Sequence, residues 1–66
     1  MKNTIKVERA KLSITQSDLA NAVGVSKQTI HSVETGRFIP SSVLAMKIAR
    51  YFKLPVEEVF QLEEED

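Results

Sequence analysis

The segment Gln16–Ile39, QSDLANAVGVSKQTIHSVETGRFI, is the most informative part of this sequence. It predicts two short helices joined by a tight turn. Thr15 and Asp18 form the [ST]-x-x-[DE] pattern that begins a helix. Gly24 ends that helix because glycine adopts a left-handed backbone at little cost, and Ser26 caps the next helix. A pair of helices separated by so short a turn must cross closely.

The second of these helices has two different faces. Ile30 and Val33 have the spacing of a buried face. The outer face carries four polar side chains: Lys27, Gln28, His31 and Ser32. These groups donate and accept hydrogen bonds, as the reading of base edges in DNA requires. An ordinary solvated face is the alternative interpretation.

A longer motif includes both helices, T-Q-x-x-L-A-x-x-V-G-V-S-x-Q-T-I-x-x-x-E-x-G-R from Thr15 to Arg37. L-A-x-K-I-A follows at 44–49 and V-E-E-V-F at 56–60. Together these motifs resemble the helix-turn-helix proteins of the phage Cro and repressor class, often called XRE-type. The resemblance covers nearly the whole chain. It implies an all-α, five-helix, lambda-repressor-like DNA-binding domain with a central helix-turn-helix at about 16–34.

The resemblance also implies which residues contact DNA, because the third helix of such proteins enters the major groove. Gln28 is suited to adenine and Lys27 to guanine. Gln16 begins its helix, where its side chain and free N–H groups can hold a phosphate. For His31 a phosphate, a base and water alone remain open as partners. The complete set of expected DNA contacts is Gln16, Ser26, Lys27, Gln28, Thr29, His31, Ser32 and Arg37.

Two further expectations concern architecture. By resemblance, Arg9 and Glu34 form an ion pair between the first helix and the end of the third. Phe38 and Ile39 lie in the loop that follows, where we expect them to cover the core. Glu8 falls on the inner stripe of the first helix, and the sequence does not indicate its partner.

Length and composition exclude several classes of protein. The chain has 66 residues, which predicts a single domain over 1–66. It has no cysteine and one histidine, so we expect no disulfide and no metal site. There is no apolar segment of membrane-spanning length and no signal-peptide core, which predicts a cytoplasmic protein. No nucleophile or phosphate loop stands out, so we expect no enzyme activity, no cofactor and no small-molecule ligand.

The formal net charge is +0, but the charges are separated along the chain. Residues 1–53 hold all nine lysines and arginines against three acidic residues, a net +6. Residues 54–66 hold the other six acidic residues and no basic one, a net −6. The basic residues 1–53 can approach phosphates while the acidic residues 54–66 face away from them. A simple solvated terminus is the alternative interpretation of the acidic residues.

The periodicity predicts five helices, over about 4–12, 16–23, 27–34, 42–52 and 55–60. Gln61-Leu62 is a candidate for a short terminal β pairing with Lys2-Asn3.

Because one small domain reads few base pairs, we expect a homodimer assembled through residues 55–66, with Leu54, Val56 and Leu62 at its interface. The expected function is sequence-specific binding to double-stranded DNA as a transcriptional regulator, a repressor on a two-fold symmetric operator. An antitoxin of the same fold and a protein-interaction module remain as alternatives.

Overall fold

The computed structural model describes residues 1–66 and consists of five α-helices and two short strands. In chain order these are β1 (Lys2–Asn3), α1 (Ile5–Leu12), α2 (Gln16–Val23), α3 (Lys27–Glu34), α4 (Ser42–Phe52), α5 (Val56–Val59) and β2 (Phe60–Gln61). The mostly helical architecture and the bounds of α2, α3 and α4 confirm the prediction. Both α1 and α5 are shorter than expected, because Thr4 and Pro55 precede the helices as N-caps. None of these helices combines the length and apolar character needed to cross a bilayer.

Local signals place the ends of α2 and α3. The Thr15 hydroxyl accepts from the Asp18 N–H at 3.0 Å, and the Asp18 carboxylate accepts from the Thr15 N–H at 2.9 Å. Gly24 ends α2 with φ +75°, and nothing lies within 4 Å of where a Cβ would stand. This glycine is therefore required by backbone conformation and not by a close neighbour. Ser26 then accepts from the Thr29 N–H at 3.1 Å and begins α3.

All five helices and β2 contribute to one apolar core. Its buried residues are Ile5, Leu19, Ala20, Val23, Ile30, Val33, Leu44, Ile48, Ala49, Val59 and Phe60. Glu8 does not enter it: its carboxylate accepts from Lys11 at 3.3 Å on the surface of α1. The expectation that Phe38 and Ile39 cover the core is wrong, because they are 48% and 59% exposed. Pro40 is the residue of that loop that is buried.

The predicted β pairing exists one residue earlier than expected. Lys2 pairs with Gln61 and Asn3 with Phe60 in an antiparallel register, so β2 comprises Phe60–Gln61 and not Gln61-Leu62. Phe60 is buried in the core, whereas Leu62, which lies beyond the end of β2, is exposed. The N-terminal ammonium adds contacts to Asp66 at 3.1 Å and Glu63 at 3.2 Å. The hydrogen bonds that this ammonium donates to Asp66 and Glu63 raise its pKa.

Candidate nucleic-acid interface

The outer face of α3 presents a continuous polar arc. At about 100° per residue, Lys27, His31, Gln28 and Ser32 occupy an arc of about 140°. The buried residues Ile30 and Val33 lie on the opposite side and anchor α3 against the core. Lys27, Gln28 and His31 are exposed, and Ser32 is half-buried. The four residues predicted to form one face therefore do so.

The two longest side chains of this face are available to a ligand. Lys27 makes no hydrogen bond or salt bridge within the protein, and Gln28 makes one marginal contact, 3.5 Å from its Nε2 to the Ser32 hydroxyl. At that distance the bond is weak, so breaking it costs little. An amide and an ammonium free on a rigid helix can approach base edges without rearrangement.

The hydroxyl groups of Ser26 and Thr29 already form hydrogen bonds within the protein. Their hydroxyl oxygens lie 2.9 Å apart, and the Ser26 oxygen also accepts the N–H that caps α3. Thr29 is half-buried. Both residues lie at the start of α3, but their first role is to fix where that helix begins.

Arg37 follows a sharp turn at the end of α3. Gly36 has φ +78°, and the N–H groups of Arg37 and Phe38 both donate to the Ser32 carbonyl, at 3.0 and 3.2 Å. These bonds fix the backbone while the Arg37 side chain remains exposed and without a salt bridge. A guanidinium in this setting is free to bind an anion.

Arg9 and Glu34 form the expected ion pair between α1 and the end of α3. The Arg9 Nε lies 2.6 Å from Glu34 Oε2, and its Nη2 lies 3.1 Å from Oε1. The third donor, Nη1, binds the Ile14 carbonyl at 3.1 Å. Hydrogen bonding to Glu34 raises the pKa of Arg9. Both side chains are largely shielded from solvent, so the pair is a rigid support beneath α3.

Gln16 lies at the junction of this support and the exposed face of α3. Its side-chain nitrogen is 3.3 Å from Glu34 Oε1 and 3.3 Å from His31 Nδ1. Gln16 and His31 were predicted as separate DNA contacts, whereas the fold brings their side chains together. The backbone N–H groups of Gln16 and Ser17, in the first turn of α2, have no partner in the protein.

The residues expected at a dimer interface do not lie in one groove. Leu54 and Val56 are half-buried and line an apolar groove between α4 and α5. Leu62 is 81% exposed beyond β2 and does not line it. Val43 and Met46 complete the groove from the outer side of α4 and are 63% and 60% exposed.

Sequence reasoning missed Val43 and Met46. A signal was present, because both are apolar on the side of α4 opposite the predicted core residues, where a solvated helix has polar groups. That they line a groove is visible only in the tertiary structure, where α5 packs beside α4.

Comparisons with known proteins agree with this geometry. The helix-turn-helix family profile matches residues 5–59. Proteins described as uncharacterized HTH-type transcriptional regulators from Methanocaldococcus jannaschii and Bacillus subtilis are 46% and 44% identical to the chain, each alignment covering 100% of both sequences. One from Archaeoglobus fulgidus is 46% identical and covers all of this chain and 93% of its own. The match includes every helix of the structure, and the chain therefore belongs to the helix-turn-helix family.

Proposed function

We propose that this protein is a transcriptional regulator that binds double-stranded DNA in a sequence-specific manner through α3. The observation that carries the proposal is the division of α3 into an anchored inner face and a free polar outer face. Because α3 packs against the core through Ile30 and Val33, its outer face can enter the major groove without disturbing the core. Lys27 and Gln28 are the base-reading residues in this proposal.

Phosphate contacts hold α3 in register on either side of these bases. Arg37 supplies a free guanidinium at one end, and the unpaired N–H groups at the start of α2 supply donors at the other. Such contacts position the protein but carry no sequence information. The +6 charge of residues 1–53 favours this approach, while the six acidic residues of the C-terminal segment lie beyond α4.

The regulator acts as a homodimer on a two-fold symmetric operator, and it represses by occluding a promoter. A single α3 reads too few base pairs for selectivity, and a second half-site about one helical turn away supplies the rest. The interface comprises the groove formed by Val43, Met46, Leu54 and Val56, together with Leu62, which lies outside that groove beyond β2.

Charge supports this choice of interface. Lys47 and Arg50 line the basic side of the groove, and Glu57 and Glu58 are exposed on α5 next to it. In a two-fold interface each contact occurs twice, so basic groups of one subunit can face acidic groups of the other.

Selection of bound sequences from a random duplex pool tests the proposal. We expect a symmetric motif with two half-sites, and binding that weakens steeply as salt rises, because bound phosphates release counterions. Binding that enriches no sequence would contradict the function. A single asymmetric half-site would leave DNA recognition standing and contradict the two-fold arrangement.

A further inference from the structure

The side-chain amide of Gln16 lies between two acceptors of α3, Glu34 Oε1 and His31 Nδ1, each 3.3 Å from its nitrogen. The Glu34 carboxylate is paired with the Arg9 guanidinium, and a carboxylate can only accept hydrogen bonds. The nitrogen of Gln16, and not its oxygen, must therefore face Glu34. An amide nitrogen carries two hydrogens, and here each has its own acceptor.

The orientation of Gln16 determines the tautomer of His31. A neutral imidazole has one nitrogen that accepts and one that donates. Because Gln16 donates to Nδ1, that nitrogen is the acceptor and the hydrogen is on Nε2. His31 is exposed, and its Nε2 has no partner in the protein. The series of hydrogen bonds from Arg9 through Glu34 and Gln16 thus ends at His31, whose Nε2–H is a donor on the surface of α3.

The same bonds leave the Gln16 side chain without a spare donor. Phosphate oxygens accept hydrogen bonds, so the Gln16 amide cannot bind one without releasing Glu34 or His31. Next to it, the N–H groups of Gln16 and Ser17 remain free at the start of α2. Gln16 connects the His31 imidazole to this first turn of α2.

We propose that His31 donates from Nε2 to a DNA phosphate oxygen at the start of α2, and that Gln16 is a positioning residue that fixes the imidazole for this contact. The inference rests on the proposed function and assigns His31 to the phosphate backbone, not to a base. His31 thereby helps to set the register of α3 without contributing to sequence preference.

The contact between Gln16 and His31 can be measured in the free protein. The chain has one histidine and three glutamines, so NMR spectra identify each group. Protonation of His31 places a hydrogen on Nδ1, which then cannot accept from Gln16. We expect the Gln16 side-chain amide resonances to follow the imidazole titration with the same midpoint. The Gln61 amide, which donates to the Glu57 carbonyl far from His31, is the internal control and should not follow it. A Gln16 amide that ignores the titration would overturn the inference.

The DNA contact is tested with two amide variants of similar polarity. In His31→Gln the terminal nitrogen is as many bonds from Cβ as Nε2 is, whereas in His31→Asn the amide ends at the position of Nδ1. We expect His31→Gln to bind within about twofold of wild type and His31→Asn to bind about fivefold more weakly, as for one lost hydrogen bond. The loss should be equal on the selected site and on a random duplex.

Two results separate this inference from the function on which it rests. Equal affinities of the two variants, or a loss confined to the selected site, overturn the phosphate contact while wild-type binding stands. Absence of salt-dependent DNA binding by wild type overturns the proposed function and the contact together.

Discussion

Arg9 on α1 binds Glu34 at the end of α3 through two parallel hydrogen bonds, of 2.6 and 3.1 Å. This geometry connects the first helix of the domain to the helix that carries the candidate DNA-reading face. With only 15% and 7% of the two side chains exposed, neither charge is well solvated if its partner is lost. The orientation of α3 and the stability of the domain are therefore coupled.

Replacement of either partner should destabilise the protein. We expect Arg9→Ala and Glu34→Ala each to lower the free energy of unfolding by about 1–3 kcal/mol, because each leaves a shielded charge unpaired. The double variant should lose less than the sum, as measured by chemical denaturation in a double-mutant cycle. Lys6→Ala, which changes an exposed residue of α1 that forms no salt bridge, is the control and should change stability by no more than about 0.5 kcal/mol. Additive losses would show that Arg9 and Glu34 are not coupled.

Loss of Lys27 or Gln28 should alter the preferred DNA sequence. Both side chains are exposed on the outer face of α3, so Lys27→Ala and Gln28→Ala should fold normally. A good bidentate base contact contributes about 1–3 kcal/mol of discrimination, and its loss should relax preference at one position of each half-site. Selection from a random pool measures this preference, with the exposed Lys53→Gln at the far end of α4 as the control. Unchanged motifs in both variants would exclude this face from base reading.

Loss of the Arg37 charge should weaken binding to all sequences alike. Its guanidinium is free and follows α3 on a backbone fixed by Ser32. If Arg37 neutralises one phosphate, Arg37→Gln should reduce the slope of log affinity against log salt by about 0.9. Titrations at several salt concentrations give the slope, and Lys53→Gln, which removes an equal charge, should leave it nearly unchanged. A loss restricted to the selected operator would instead indicate a base contact.

A charge introduced into the groove between α4 and α5 should dissociate the proposed homodimer. Met46→Glu changes an exposed residue, so the fold is retained, but it buries a carboxylate in the proposed interface. We expect dimerisation at least about tenfold weaker by sedimentation, and operator binding weakened with it. Leu62→Glu should act in the same direction if Leu62 belongs to the interface.

Val7→Glu is the matched control for this experiment, because Val7 is an exposed apolar residue on α1, outside the groove. It should leave sedimentation unchanged. A wild-type protein that is monomeric at tens of micromolar would contradict the solution dimer, and equal effects of Met46→Glu and Val7→Glu would contradict the choice of surface.

The helical fold, the bounds of α2, α3 and α4, and the division of α3 into two faces could all be predicted from the sequence. These features depend on local chemistry: Thr15, Ser26 and Ser41 supply caps, Gly24 supplies a left-handed backbone, and the apolar residues repeat with the helical period. Each acts within about one turn of its own position, so a linear pattern records it. The Arg9–Glu34 pair was expected from a family resemblance and not from the pattern.

Contacts between side chains that are distant in the sequence could not be predicted and depend on how the helices pack. The tertiary structure placed Gln16 between Glu34 and His31. This position sets the direction of the hydrogen bonds that connect these three side chains. The tertiary structure also shifted the β pairing by one residue, because burial of Phe60 in the shared core outweighed the apolar pattern of the tail. It exposed Phe38, whose loop follows the path set by the backbone bonds to Ser32. Such contacts depend on how helices pack, and packing is a property of the whole core.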